Sequence, residues 1–305
     1  MYPINNLLVG VDLTEMDSTL IKFVAAIARA TSCKQIYFVN VVPSLNLPEA
    51  IQKEFPSLMD NALEERKNQI WEKVAVHINT DEFEEVQVVV KEGVPAKQIL
   101  ELSLEKNIDL IVVGRKTSLK GSGLVSYRLA RRAACSLFIV PEGLEPGIRK
   151  ILVPSDFSDY SVIAMEEAIN ISQKTGAKLI VQNVYNVPAG YHYTGKTFDE
   201  FARIMEKNAK KDYRKFIKTI DTRGIKPKVI YSLDKNDDPV EDIYEMAEKL
   251  QPDCIVIGAK GRTATTAIFL GSLAERLVQI NKKFPLMVVR PKGKNAGILE
   301  YILDL

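Results

Sequence analysis

Gly258, Gly261 and the pair Gly271-Ser272 form the set of residues best suited to hold an anion. Two residues separate the first two glycines, and nine separate Gly261 from Gly271. A strand-like run, Cys254-Ile255-Val256-Ile257, comes directly before them, and a helix-like run from Leu273 to Ile280 directly after. Glycine lets the backbone approach an anion closely, and a helix start presents unpaired N–H groups and a positive dipole end. The chemistry this suggests is phosphate binding. Lys260 and Arg262 are the nearest cations and could neutralise phosphate charge. An acidic residue, Asp156, closes a second strand-like run, Ile151-Leu152-Val153-Pro154-Ser155. It could accept hydrogen bonds from ribose hydroxyls or from an adenine amine.

These residues need a scaffold, and the chain contains it twice. Ile4 to Thr14 matches Ile148 to Ser158, and Asp109 to Gly114 matches Asp253 to Gly258, both at an offset of 144. At 305 residues the chain is long enough for two domains. The expected division is 1–145, 146–292 and a C-terminal tail over 293–305, with the linker-like stretch Pro141 to Gly147 between the copies. Strand-like runs fall near 6–11, 35–42, 86–91, 109–114 and 136–140, with helices near 16–31, 58–79, 95–107 and 124–134. The second copy repeats this, with helices near 160–174, 198–222, 239–250 and 272–281. Ser158 is positioned to cap the first of these and Gly176 to end it.

Continuous apolar strands alternating with helices imply a parallel sheet covered on both faces. Right-handed crossovers make each copy an α/β, doubly wound, Rossmann-like domain with five strands in the order 3-2-1-4-5. Ligands bind beyond the strand carboxyl ends, where the strand order reverses. Strands one and four meet there, so Asp156 should face the glycine loop. Taken singly, each piece also reads as ordinary structure. Asp156 could open a turn or cap a helix, the glycines could be turn glycines, and Gly271-Ser272 could merely start a helix. Their order on one scaffold is what points to a nucleotide.

The chain resembles a tandem universal stress protein, with the resemblance covering about residues 1–141 and 148–291. It rests on Ile-Leu-Val-Pro-Ser-Asp-Phe-Ser at 151–158, Asp-Cys-Ile-Val-Ile-Gly at 253–258 and the glycine-serine pattern at 258–272. That last pattern resembles the signature of the family's ATP-binding members. The resemblance implies an adenine contact from the backbone at Val184 and nucleoside contacts from Pro154, Ser155 and Asp156. It also implies ribose and phosphate contacts from Gly258, Gly261, Gly271, Ser272 and Leu273, with ATP as ligand; an accompanying Mg²⁺ or Mn²⁺ is left open.

The first copy departs from this pattern. Gly114 is present, but Thr117 stands in place of the second glycine, and counting nine onward reaches Tyr127-Arg128. A Cβ at 117 and a phenol ring at 127 should obstruct close approach to phosphates. Lys120-Gly121-Ser122-Gly123 offers a different basic loop, and Asp12 is kept. Weak or absent ATP binding by this copy is the expectation, with a shifted phosphate site as its rival. Arg128, Arg131 and Arg132 share one helix face, either solvated or a dock for an acidic partner. Lys207 to Lys215 is a further charge-rich stretch. His77 and His192 lie too far apart in sequence to suggest a metal site, and His192 belongs to a loop that could cover the adenine or simply move.

The charges nearly cancel, 41 basic against 39 acidic, so neither nucleic acid nor an anionic membrane is implied as a partner. No apolar run spans a bilayer and no signal pattern opens the chain, so a cytoplasmic location is expected, with Cys33, Cys135 and Cys254 as buried thiols. No Walker lysine motif occurs, and Asp156, the one candidate general base near the loop, is expected to recognise rather than catalyse. The reading is therefore a regulatory ATP binder acting through an unidentified protein partner, not an enzyme. A slow ATPase or nucleotidyl transferase and a purely structural assembly module are the alternatives. The fifth strands are expected sheet edges that could pair within one chain as a pseudo-dimer. The apolar tail could pack on a domain or serve a homodimer.

Overall fold

The structure, a computed structural model, describes residues 4–31, 33–43, 53–54, 57–116, 123–261 and 270–291. They form two compact units, one over Gly147–Pro291 and one over the chain before it. The apolar tail and Arg262 lie outside the described residues.

The first unit runs β1 (Asn6–Val11), α1 (Met16–Thr31), β2 (Gln35–Val42), α2 (Leu58–Ala75), β3 (Glu85–Glu92), α3 (Pro95–Glu105), β4 (Leu110–Arg115), α4 (Leu124–Arg132) and β5 (Ser136–Pro141). Its sheet is parallel, in the order β3-β2-β1-β4-β5. The second runs β6 (Lys150–Pro154), α5 (Asp159–Thr175), β7 (Lys178–Asn186), α6 (Phe198–Phe216), β8 (Lys228–Asp234), α7 (Pro239–Leu250), β9 (Cys254–Gly258), α8 (Ser272–Ile280) and β10 (Leu286–Val289). Its order is β8-β7-β6-β9-β10, again parallel. Each is the expected doubly wound arrangement. The central strands read as unbroken apolar runs because both faces are covered: Leu7, Leu8 and Val9, like Ile151, Leu152 and Val153, are wholly buried.

Capping sets the helix limits. The Ser158 hydroxyl accepts the Ser161 N–H at 3.3 Å, and Gly176 closes α5 with a left-handed φ of 72°. Two expected helices are shorter than the sequence suggests. The one expected to reach 222 ends at Phe216, tightens into a 3₁₀ turn at Ile217–Thr219 and reverses where Arg223 and Gly224 take φ of 50° and 80°. The one expected to reach 79 ends at Ala75, because the Asn79 side chain caps a separate 3₁₀ turn at Thr80–Glu82.

Strand pairing shows that the two copies are not offset by 144 throughout. Asn6 pairs with Gln35 in the first unit, and Lys150 pairs with Lys178 in the second. The connection into the second strand is therefore one residue shorter in the second copy. By register, Asn40 corresponds to Asn183, and both donate from Nδ2 at 2.8 Å to the carbonyl that ends strand one, Val11 and Ser155 respectively.

Gly258 lets α5 press against β9: a Cβ built there would lie 2.6 Å from the Tyr160 carbonyl oxygen. At Gly114 the neighbour is instead the flexible Met16 side chain, at 2.7 Å. Gly258→Ala should destabilise its unit by about 1–3 kcal/mol through overpacking, and Gly114→Ala by less. Gly147→Ala, with nothing within 4 Å of its added methyl, serves as control. Urea unfolding measures the difference, and an unchanged midpoint for Gly258→Ala would refute the close approach. The three cysteines are buried thiols outside any disulfide, with burial pushing Cys33 up to about 11 and Cys254 up to about 12. A thiol reagent at mildly alkaline pH should label none of them in minutes when native and all three in concentrated guanidinium. Rapid native labelling of Cys254 would contradict this packing.

Candidate functional site

At the carboxyl ends of β6 and β9 the chain forms a cavity of about 300 Å³. Pro154, Ser155 and Asp156 reach it from the end of β6, and Val184 from β7. Gly258, Lys260 and Gly261 reach it from the end of β9, and Gly271, Ser272 and Leu273 from the start of α8. All the expected site residues except Arg262 therefore line one space. Gln182, Ser161, Pro239 and Ile243 line it too, though nothing in their type or spacing drew attention to them. Gln182 left one trace, as the first of two adjacent amides inside a largely apolar strand run.

Asp156 is held from several sides. Its Oδ1 accepts from the Ser161 hydroxyl at 2.8 Å and from the Ser158 N–H at 3.0 Å, while its own N–H donates to the Ser161 oxygen at 3.2 Å. The next residue, Phe157, has a φ of 63°, in a region costly for a side chain of this size. Its ring packs on Tyr213 and Phe216, with centroids 5.9 and 5.2 Å away, which offsets that strain. Across the cavity, a Cβ at Gly261 would lie 2.8 Å from Asp156 Oδ2. Glycine here lets main chain and carboxylate lie side by side.

The two ends of the loop meet. Gly271 N–H donates to the Ala259 carbonyl at 2.8 Å, and a Cβ at Gly271 would approach Lys260 Cα at 3.1 Å. Among the described residues no side chain caps α8, so its first-turn amides remain available at the cavity. Lys260 is buried, with its Nζ 5.5 Å from the Tyr160 ring centre. Burial first, and then the Arg290 charge, lower its pKa. The ensemble is a carboxylate, a run of close-approach backbone and a helix N-terminus facing one space.

The first unit has a counterpart cavity of about 430 Å³ with a different interior. Lys116, the counterpart of Lys260, is paired with Asp12, whose Oδ1 also takes the Thr14 hydroxyl at 2.6 Å. Burial raises the Asp12 pKa, but Lys116 and Thr14 outweigh it and the net shift is downward. Val39 stands where the second unit has Gln182, and the buried Asp17, ion-paired with Lys73 at 3.3 Å, stands in place of Ser161. The structure corrects one sequence expectation. Tyr127 is not the counterpart of Gly271, because it lies within α4, its ring 5.7 Å from the Arg131 guanidinium, and does not line the cavity. The counterpart is Gly123, the residue before α4, with a φ of 107°. Nine positions lead from Gly114 to Gly123 and thirteen from Gly258 to Gly271, so the first loop is four residues shorter. Leu124 then replaces Ser272. Thr117 and residues 120–122 lie outside the described residues.

The remaining candidates stay apart from both cavities. His192 is exposed in a 3₁₀ turn, Ala189–Thr194, and does not line the second unit's cavity. Arg128 and Arg132 are exposed on α4, and Lys210 and Lys215 pair with Glu206 and Asp212 along α6. Among the described residues there is no cluster of His, Cys, Asp and Glu fit to hold a metal, and no helix long and apolar enough to cross a membrane.

Comparison with known proteins bears on this arrangement. The profile of the universal stress protein family matches residues 3–141 and 147–290. The universal stress protein MJ0531 of Methanocaldococcus jannaschii is 31% identical over 148 residues, covering 48% of this chain and 84% of that protein. Among solved structures, a universal stress protein from Archaeoglobus fulgidus superposes with a TM-score of 0.62 at 19% identity, over 95% of this chain and 99% of its own. A functionally unknown protein from Pseudomonas aeruginosa gives 0.66 at 16% identity, over 99% and 97%. These two structures share the fold. With its profile matched once in each half, the chain belongs to the universal stress protein family, as a tandem of two copies.

Proposed function

We propose that the second unit binds an adenine nucleotide, with ATP as the ligand, and that occupancy changes a surface read by a protein partner. The observation that carries this reading is the cavity in which Asp156, the glycine loop and the uncapped start of α8 face one another. In this reading the Val184 main chain contacts the base and Asp156 accepts from the ribose hydroxyls. The amides of Gly261, Ser272 and Leu273 and the Lys260 cation meet the phosphates. The resident Ser161 and Ser158 contacts hold Oδ1 of Asp156, which keeps the carboxylate fixed for recognition. Mg²⁺ or Mn²⁺ accompanying the phosphates belongs to the same proposal. The reading is regulatory because Asp156, held by Ser161 and Ser158, serves recognition in it rather than proton transfer. The first unit is the weaker or silent site: its loop is four residues shorter, Leu124 replaces Ser272, and Lys116 occupies Asp12.

Nucleotide released from gently purified protein, or titrated into it by calorimetry, tests this. One adenine nucleotide per chain is expected, and two per chain would refute the silent first unit. Asp156→Ala should weaken ATP by about tenfold to a hundredfold, the worth of a charge-assisted hydrogen bond of about 1.5–3 kcal/mol. Asp12→Ala should leave it unchanged. Protein unable to bind ATP would overturn the proposal. Multiple turnovers abolished by Asp156→Ala would make the protein a slow ATPase instead.

A further inference from the structure

Gln182 sits on β7 two residues before Val184, so both side chains lie on the same face of the strand. It is fully buried and lines the second unit's cavity together with Pro239 and Ile243. Its amide nitrogen donates to the Ser232 hydroxyl at 3.0 Å and to the Asp242 carbonyl at 3.2 Å. A main-chain carbonyl only accepts, so the nitrogen must face it and the orientation of the amide is fixed. The amide oxygen, Oε1, then has no hydrogen-bond partner among the described residues. A buried acceptor without a donor is costly, and such groups in native structures call for an explanation. Strand register gives a contrast within the same chain. Pro154 pairs with Gln182 in the second unit, whereas Gly10 pairs with Val39 in the first. The fold accepts an aliphatic residue at this position, and only the unit with the full glycine loop carries an amide there.

We propose that Gln182 is a specificity-determining residue that selects a 6-aminopurine over a 6-oxopurine. This rests on the nucleotide reading of the same cavity. With Val184 holding the base at the strand end, the Gln182 amide oxygen accepts from the exocyclic amine. A 6-oxopurine presents a carbonyl oxygen to the same atom. Two acceptors then face each other away from water, and neither is satisfied. Ser232 and Asp242 are the positioning groups, because they keep the oxygen side of the amide turned from their own acceptors.

The test is competitive binding of ATP and inosine triphosphate, which differ at this edge of the base. The unaltered protein should prefer ATP by at least about tenfold, the weight of one buried unsatisfied polar group. Gln182→Met keeps the approximate shape of the side chain and removes both polar ends, and Gln182→Val installs what the first unit has at this position. In both variants the preference should fall toward unity, mainly through weaker ATP binding. Ser232→Ala keeps the accepting oxygen and should retain most of the preference. Circular dichroism and an unfolding midpoint establish that each variant is folded. If ATP binds and the ratio is unchanged in folded Gln182→Met, the role of Gln182 is refuted while the nucleotide reading stands. A preference for inosine triphosphate in the unaltered protein also refutes it. If neither nucleotide binds the unaltered protein, both proposals fall together.

Discussion

The carboxylate of Asp253 accepts the N–H groups of Arg149 and Lys150, each at 2.8 Å, and much of the second unit depends on this. Asp109 does the same for Asn5 and Asn6 in the first unit, at 2.9 Å. The interaction joins the start of strand four to the start of strand one. It fixes their mutual register, so that Ile151 lies opposite Cys254 and Leu152 opposite Ile255. Strands of fixed length then emerge together at the far end of the sheet. A slip of one residue would turn every buried side chain to the other face and separate Asp156 from Gly261. The geometry of the cavity is thus set at the opposite end of the sheet, by two main-chain hydrogen bonds to one side chain.

A second layer of control sits where strand one ends. Asn183 holds the Ser155 carbonyl, which frees the chain to leave the sheet without an unsatisfied acceptor. The following turn passes through a left-handed residue in both units, Leu13 and Phe157 with φ of 62° and 63°. The strained turn lets the acidic residue stand at the mouth of the cavity while its main chain enters the next helix. What differs between the units is what meets that carboxylate. In both a hydroxyl and a main-chain N–H reach it, but the first unit adds a lysine ammonium where the second sets glycine backbone beside it.

The fold was largely legible because buried parallel strands leave unbroken apolar runs and because the chain displays the pattern twice. The glycines and Asp156 could be found from residue type, since close approach and charge each call for particular side chains. Gln182 and Ser161 could not be found this way. Their importance comes from burial and from partners distant in sequence, such as Asp242 for Gln182. The assignment of Tyr127 failed for a different reason. Counting residues presumes a loop of constant length, whereas the start of a helix follows its own cap, and Gly123 marks it in the first unit. Helix ends at Phe216 and Ala75 were similarly blurred, because short 3₁₀ turns carry the same local composition as the helices they follow.

The one-residue difference between the copies falls in the connection from the first helix to the second strand. That connection lies at the amino ends of the strands, away from the cavity. The second strand nevertheless enters the sheet so that Asn40 and Asn183 arrive at the same carbonyl. The sheet behaves like a fixed ruler whose lower margin tolerates editing. Insertions there are absorbed before the chain reaches the upper margin, whereas the four-residue change after strand four falls on that margin, beside the cavity. The fold thereby sorts changes of chain length into silent and consequential ones, and two copies joined in a single polypeptide can drift apart in chemistry while keeping one architecture.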